Sequence, residues 1–187
     1  NCSFHHASVG ELPFSDNSLD FAYSLGVLHH VPETVEGISS IAKKLKKGSP
    51  FLVYLYYAFD NRPIWFRMMW RVSDIIRRFI SCLPYILRLL LSQLIAILIY
   101  FPLARGARLL DLLKVMPRSW PLGYYRDKSF YVMRTDALDR FGTRLEQRFS
   151  KQKIELMLQK SGFKDIYFSD KQPYWCAVGV KDKVCAE

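Results

Sequence analysis

Two adjacent imidazoles, His29 and His30, are the side chains of this 187-residue chain best suited to move a proton near neutral pH. Their setting gives that capacity a place. Asn17-Ser18 is a turn signal, Leu19 to Ser24 reads as a short, mostly apolar strand, and Pro32 suits the first turn of a following helix. The histidines therefore lie just beyond the carboxyl end of a strand, the edge at which open α/β sheets hold small molecules. Two roles are open to each. An imidazole there can serve as a general base toward an acceptor, with His30 preferred over His29, or it can cap the helix and hydrogen-bond the crevice wall. No metal site is expected from His5-His6 and His29-His30, because adjacent side chains point in different directions on a helix or a strand. Cys2, Cys82, Cys176 and Cys185 are scattered without CxxC or Cys/His ligand spacing, and they read as reduced and mostly packed cysteines of a cytosolic protein.

The elements that must position this pair follow along the chain. Pro32, Glu33 and the apolar positions Val35, Ile38, Ile41, Ala42 and Leu45 predict a helix that Gly48 stops. Phe51 to Tyr56 is a continuous apolar run of the kind that forms a strand buried on both faces. Its outgoing end, Tyr56, Tyr57 and Asp60, reaches the crevice of His29 and His30, where the tyrosines are either core packing with a wet hydroxyl or acceptor contacts. Farther on, Thr135 and Asp136 can start a short helix ended by Gly142. Ser150 as N-cap and Gly162 as left-handed stop bound a clearer one. Ile166–Ser169 and Trp175–Val180 then make two strands.

The interval from Arg62 to Arg108 holds eight arginines against the single acid Asp74, and it is also the most apolar part of the chain. With a net charge of +10, that placement fits a membrane-facing or lipid-handling surface better than a groove that tracks phosphates, so no nucleic-acid partner is expected. Between Pro84 and Pro102 lies YILRLLLSQLIAILIYF. At ~1.5 Å per residue it reaches about 26 Å, short of the roughly 30 Å hydrocarbon core. Arg88, Ser92 and Gln93 argue further against a span. A buried helical cap, a helix lying in the membrane interface and a true span stay open.

The N-terminal motifs resemble the class I S-adenosylmethionine-dependent methyltransferases, in the methyltransferase type 11-like branch. Ala7-Ser8-Val9-Gly10-Glu11-Leu12-Pro13-Phe14 is similar to that family's Gly-Asp-Ala-x-x-Leu-Pro-Phe adenine loop. Asp20 to Ser24 corresponds to its fourth strand, Val27-Leu28-His29-His30 to the turn that follows, and Leu45-Lys46-Lys47-Gly48-Ser49 to its Leu-Lys-Pro-Gly-Gly bend. Ser8 departs from the pattern: it stands where many relatives carry the aspartate that accepts from the adenine amino group, and a neutral hydroxyl makes a weaker acceptor.

The resemblance implies a Rossmann-like, doubly wound, mostly parallel α/β sheet whose last strand runs antiparallel between its neighbours. It implies S-adenosyl-L-methionine as cofactor, with Ser8, Val9 and Leu12 flanking the adenine and Ser24 and Leu25 bordering the methionine part. No two glycines are separated by one residue, so no Gly-x-Gly cofactor turn is present. The expectation is a C-terminal portion of such a domain, inactive by itself, with the N-terminal part missing. Residues 1–61 and 135–187 read as core and 62–134 as a helical, apolar and basic insertion. The acceptor implied is a small or lipid-like molecule, methylated slightly preferably on oxygen, and the location cytoplasmic with peripheral membrane association. The opposing reading is a non-catalytic membrane-associated protein that keeps the scaffold.

Overall fold

The computed structural model describes residues 2–117, 120–171 and 173–182, so Cys185 lies outside the described residues. Four strands form one mixed sheet in the order β1-β2-β4-β3. β1 (Ala22–Leu25) pairs in parallel with β2 (Pro50–Tyr54), and β4 (Cys176–Lys181) runs antiparallel to both β2 and β3 (Phe163–Phe168). β1, β2 and β3 thus point one way and β4, seated between β2 and β3, points the other. This is an α/β fold with the reversed final strand that the resemblance implied.

The chain divides into two compact units: residues 1–62 with 145–187, and Pro63–Arg144. In the first unit α1 (Thr34–Lys44) and α6 (Lys151–Lys160) pack on one face of the sheet. The periodicities meet there: Ile38, Ile41 and Ala42 of α1 and Ile154 and Leu158 of α6 close over Phe51, Val53, Phe163 and Ala177. Each fully buried large side chain of this kind contributes roughly 1.5–3 kcal/mol. β2 is buried on this face alone. Leu52 and Tyr54 on its other face are half-buried, and Tyr23, Leu25 and Tyr167 beside them are exposed, because α1 and α6 share one side.

Local chemistry sets the boundaries. α6 starts where the Ser150 hydroxyl accepts from the Lys153 amide, and Gly162 follows its end at φ +87°. Leu45 does not continue α1: it turns extended and bridges Leu19, which shortens the predicted first strand to begin at Ala22. Lys181, a buried β4 lysine, donates to the Leu45 carbonyl at 2.6 Å and to Asn17 Oδ1 at 3.0 Å, tying three segments together.

The second unit is helical: α2 (Ile64–Ser81), α3 (Tyr85–Ile95), a π turn (Ala96–Tyr100), α4 (Phe101–Leu112) and α5 (Phe130–Gly142). Its core joins Ile80, Ala96, Tyr100, Ala104, Met133, Ala137 and Phe141. Pro102 does not end the apolar helix. It falls in the first turn of α4, where an amide is dispensable, and the π turn just before it shifts the hydrogen-bond register. Tyr85–Leu112 is consequently one continuous rod of 28 residues, apolar and long enough to cross a membrane by length and composition. α5 likewise starts before Thr135, because Ser129 supplies the N-cap, its hydroxyl accepting from the Val132 amide.

Candidate active site

The sheet edge formed by the carboxyl ends of β1 and β2 carries the polar groups that the sequence pointed to. After Leu25 the chain turns through Gly26 at φ +71°, whose amide donates to the Tyr54 carbonyl, and winds into a short 3-10 turn, Leu28–His30. Ser24 is half-buried and Leu25 exposed at this edge. His29 and His30 face different surroundings. The His29 ring is fully buried, stacked on Tyr56 at 3.7 Å, and neither of its nitrogens has a hydrogen-bond partner. Burial pushes its pKa down to about 4, with the charges of His30 and Arg148 acting in the same direction against Glu146.

His30 is half-buried, and its Nδ1 lies 2.7 Å from the carbonyl oxygen of Leu145. A carbonyl can only accept, so Nδ1 carries the proton of the neutral ring and Nε2 keeps its lone pair. That is the tautomer a general base requires at Nε2.

The carbonyl belongs to a strap, residues 145–149, that the sequence reading did not single out. The Gln147 amide donates to the His29 carbonyl and its side chain to the Val31 carbonyl, while the Phe149 amide donates to the Tyr56 carbonyl and the Ala58 amide returns to Phe149. Residues 145–149 therefore clip the histidine turn to the outgoing end of β2. Within it Arg148 binds Glu146 at 2.8 Å and lies over the rings of Tyr56 at 5.0 Å and Phe59 at 4.7 Å. His29, Tyr56 and Arg148 form a layered wall. The only local signal for it was an acid and a base two residues apart, between Leu145 and Phe149. Asp60, at the same end of β2, accepts from Trp175 Nε1 at 2.9 Å and from the Lys151 amide, a structural role. Burial raises the Tyr54 pKa, so its phenol stays neutral.

Ser8, Val9 and Leu12 lie in the loop over α1. Val9 and Leu12 pack on the core, and Val9 comes within 3.5 Å of where a side chain on Gly37 would begin. Ser8 is exposed. Between this loop and α1 an open groove of about 560 Å³ is lined by Gly10, Glu11, Leu12, Val35, Ser39 and Lys43. The exposed Leu25 and Val27 flanking Gly26 offer an apolar edge, and the Ser8 hydroxyl an acceptor. No group of three or more histidine, cysteine or acidic side chains able to hold a metal occurs among the described residues.

The neutral, buried His29 gives a first prediction. An unfolded histidine takes up its proton near pH 6.5 and the folded one near pH 4, so the unfolded chain holds more protons between them and stability rises with pH over that window. Stability is complete above about pH 6.5 and falls by up to roughly 3 kcal/mol as the pH drops through about 4. Denaturant titrations across this range should show that slope, and His29→Phe should abolish it.

A mixed sheet with β1 and β2 parallel and β4 reversed sets the broad class, an α/β fold. Residues 1–53, from the loop through α1 into β2, match the family model described as a methyltransferase domain. That segment is similar to the class I S-adenosylmethionine-dependent methyltransferases, and the mixed sheet with its one parallel pair fits their α/β fold. Over 60 residues the chain is 35% identical to cycloartenol-C-24-methyltransferase 1 of Oryza sativa subsp. japonica, a match covering 32% of this chain and 17% of that protein. Among solved structures, a SAM-dependent methyltransferase of Methanosarcina mazei aligns at 13% identity over 94% of this chain and 65% of its own, with a TM-score of 0.47. The phosphoethanolamine N-methyltransferase 2 of Haemonchus contortus, solved with phosphomonomethylethanolamine and S-adenosylhomocysteine, aligns at 16% identity over 89% of this chain and 22% of its own, with a TM-score of 0.40. The chain thus spans a minor part of its curated relative's length.

Proposed function

We propose that the protein transfers a methyl group from S-adenosylmethionine to an oxygen of a small or lipid-like acceptor at a cytoplasmic membrane surface, with His30 as general base. The observation that carries the role of His30 is its 2.7 Å contact with the Leu145 carbonyl, which leaves Nε2 free to accept. The cofactor supplies a methyl group on a positively charged sulfur. In-line displacement needs the acceptor aligned and water excluded, and a hydroxyl acceptor gives up its proton as its oxygen attacks. His30 Nε2 takes that proton. His29, neutral and enclosed, does not exchange one and serves with Tyr56 and Arg148 as a rigid wall. Leu25 and Ser24 border the methionine side of the cofactor, and Ser8, Val9 and Leu12 the adenine side.

A lipid-like acceptor is supported by the likeness to a protein named for methylating cycloartenol, and by the exposed apolar helices of the second unit. Oxygen is preferred because His30, beside that wall, offers a base. The test is transfer of labelled methyl from S-adenosylmethionine to hydroxylated apolar acceptors by the intact protein, with product identified by mass spectrometry. Methylation at oxygen is the expected result, and turnover on amines alone overturns the preference. Calorimetric titration of the 187-residue chain by itself should give cofactor affinity at least about tenfold weaker than that of a protein that also carries a Gly-x-Gly turn, which lets the backbone approach the cofactor closely. An intact protein that binds no cofactor at all would favour the non-catalytic scaffold.

A further inference from the structure

α2 wears its polarity inside out. On its inward side Arg77 and Asp74, 3% and 7% exposed, pair at 2.7 Å, and Arg77 also donates to the carbonyls of Thr143 and Arg144. Its outward side is a stripe of Ile64, Met68, Val72, Ile75 and Phe79, spaced by four, four, three and four residues, with Ile75 and Phe79 each 68% exposed. The Tyr85–Leu112 rod repeats the inversion. Ser92, Ala96, Ala104 and Ala107 are buried, whereas Leu90, Leu94, Leu98 and Leu109 face out. Small and polar residues turned inward with large aliphatic ones turned outward is the reverse of a water-facing helix, whose apolar stripe faces the core. An apolar surface this continuous on two helices marks a docking face.

Charge says what docks there. Arg71 lies three residues after Met68 and four before Ile75, and Arg67 one turn earlier, so an exposed arginine ridge edges the apolar stripe. Aliphatic stripe beside guanidinium ridge matches acyl chains beside anionic headgroups. α5 decides the orientation. It packs against α2, α3 and the π turn, and its own outer face carries exposed Arg134, Thr135 and Asp139. A spanning rod would draw those side chains into hydrocarbon, where charged groups are costly. We propose that Pro63–Arg144 is a monotopic membrane-docking unit, in which α2 and the rod lie in the plane of one anionic leaflet with α5 turned toward water.

This inference rests on the membrane-surface part of the proposed function and not on methyl transfer, so it is read without turnover. The intact protein is floated with vesicles of phosphatidylcholine alone and with added phosphatidylglycerol. It should rise with the anionic vesicles, less so as salt increases. Ile75→Asp with Phe79→Asp should lower the partition coefficient roughly tenfold or more, and Arg67→Gln with Arg71→Gln should lower it about fivefold per arginine on anionic vesicles only. Thr135→Asp should leave it unchanged. Circular dichroism of each variant confirms that these exposed positions do not affect folding.

Depth is read from a fluorophore on Leu98→Cys, with the native cysteines replaced by serine. Stronger quenching by nitroxide near the headgroup than at the acyl terminus supports the in-plane geometry, and the reverse order overturns it in favour of a span. Failure to float with any composition overturns the proposal. So does a concentration-dependent dimer that Ile75→Asp dissociates while flotation is unchanged, since a second copy would then occupy the face.

Discussion

Replacing His30 by alanine in the intact protein is expected to lower turnover by roughly 10²- to 10⁴-fold, the contribution of a positioned general base, while cofactor affinity stays within about twofold. His30→Asn separates the two roles of the ring. An asparagine amide can still donate toward the Leu145 carbonyl, which the Nδ1 contact at 2.7 Å shows to be within reach, yet it offers no base. If asparagine falls as far as alanine, proton transfer is the function. If it retains near-normal turnover, the hydrogen bond to the strap is what matters and His30 leaves the chemistry. His29→Ala should act differently, through packing against Tyr56 and not through proton transfer.

The second large effect belongs to Arg148. Its side chain is 14% exposed and that of Glu146 3%, and the two meet in a forked contact, Nε at 2.9 Å and Nη2 at 2.8 Å from the same carboxylate oxygen. Arg148→Ala takes this cation from a buried carboxylate and removes the layer over Tyr56 and Phe59, so a loss of about 3–5 kcal/mol is expected. Equilibrium urea unfolding measures it. Arg148→Met with Glu146→Leu should recover most of that loss, since replacing both members of a buried pair by apolar groups of similar volume is often neutral. A double variant as unstable as the single one would place the energy in the cation–ring stacking.

The features legible in the sequence were those that nearby residues encode. Ser150 and Gly162 bound α6 because a hydroxyl cap and a left-handed stop act within a turn, and the two histidines follow a strand that Asn17-Ser18 and Pro32 bracket. The order of the last two strands came through resemblance, and the sheet carries it. Features set by distant partners were not legible. Residues 145–149 meet the histidine turn across about 115 residues, and nothing at Leu145 signals that its carbonyl fixes a tautomer. The one-sided burial of β2 escaped for a related reason: a continuous apolar run does not say how many helices will cover it. At Pro102 a local rule met a local exception, since the π turn supplies the register that proline would otherwise break.

The strap has a practical consequence for mapping this site by mutation. Three of the groups it presents, the Leu145 carbonyl and the amides of Gln147 and Phe149, are backbone atoms. Every ordinary side-chain exchange at these positions leaves those atoms in place, so an alanine scan would score Leu145 as unimportant while the bond that prepares His30 persists. Only a change to the main chain reaches it: proline at position 147, which deletes the amide offered to His29, or an ester in place of the peptide bond. A deep mutational map of this protein should therefore show a silent position at 145 beside its base, while at 147 proline costs more than the loss of the side-chain bond to Val31 alone.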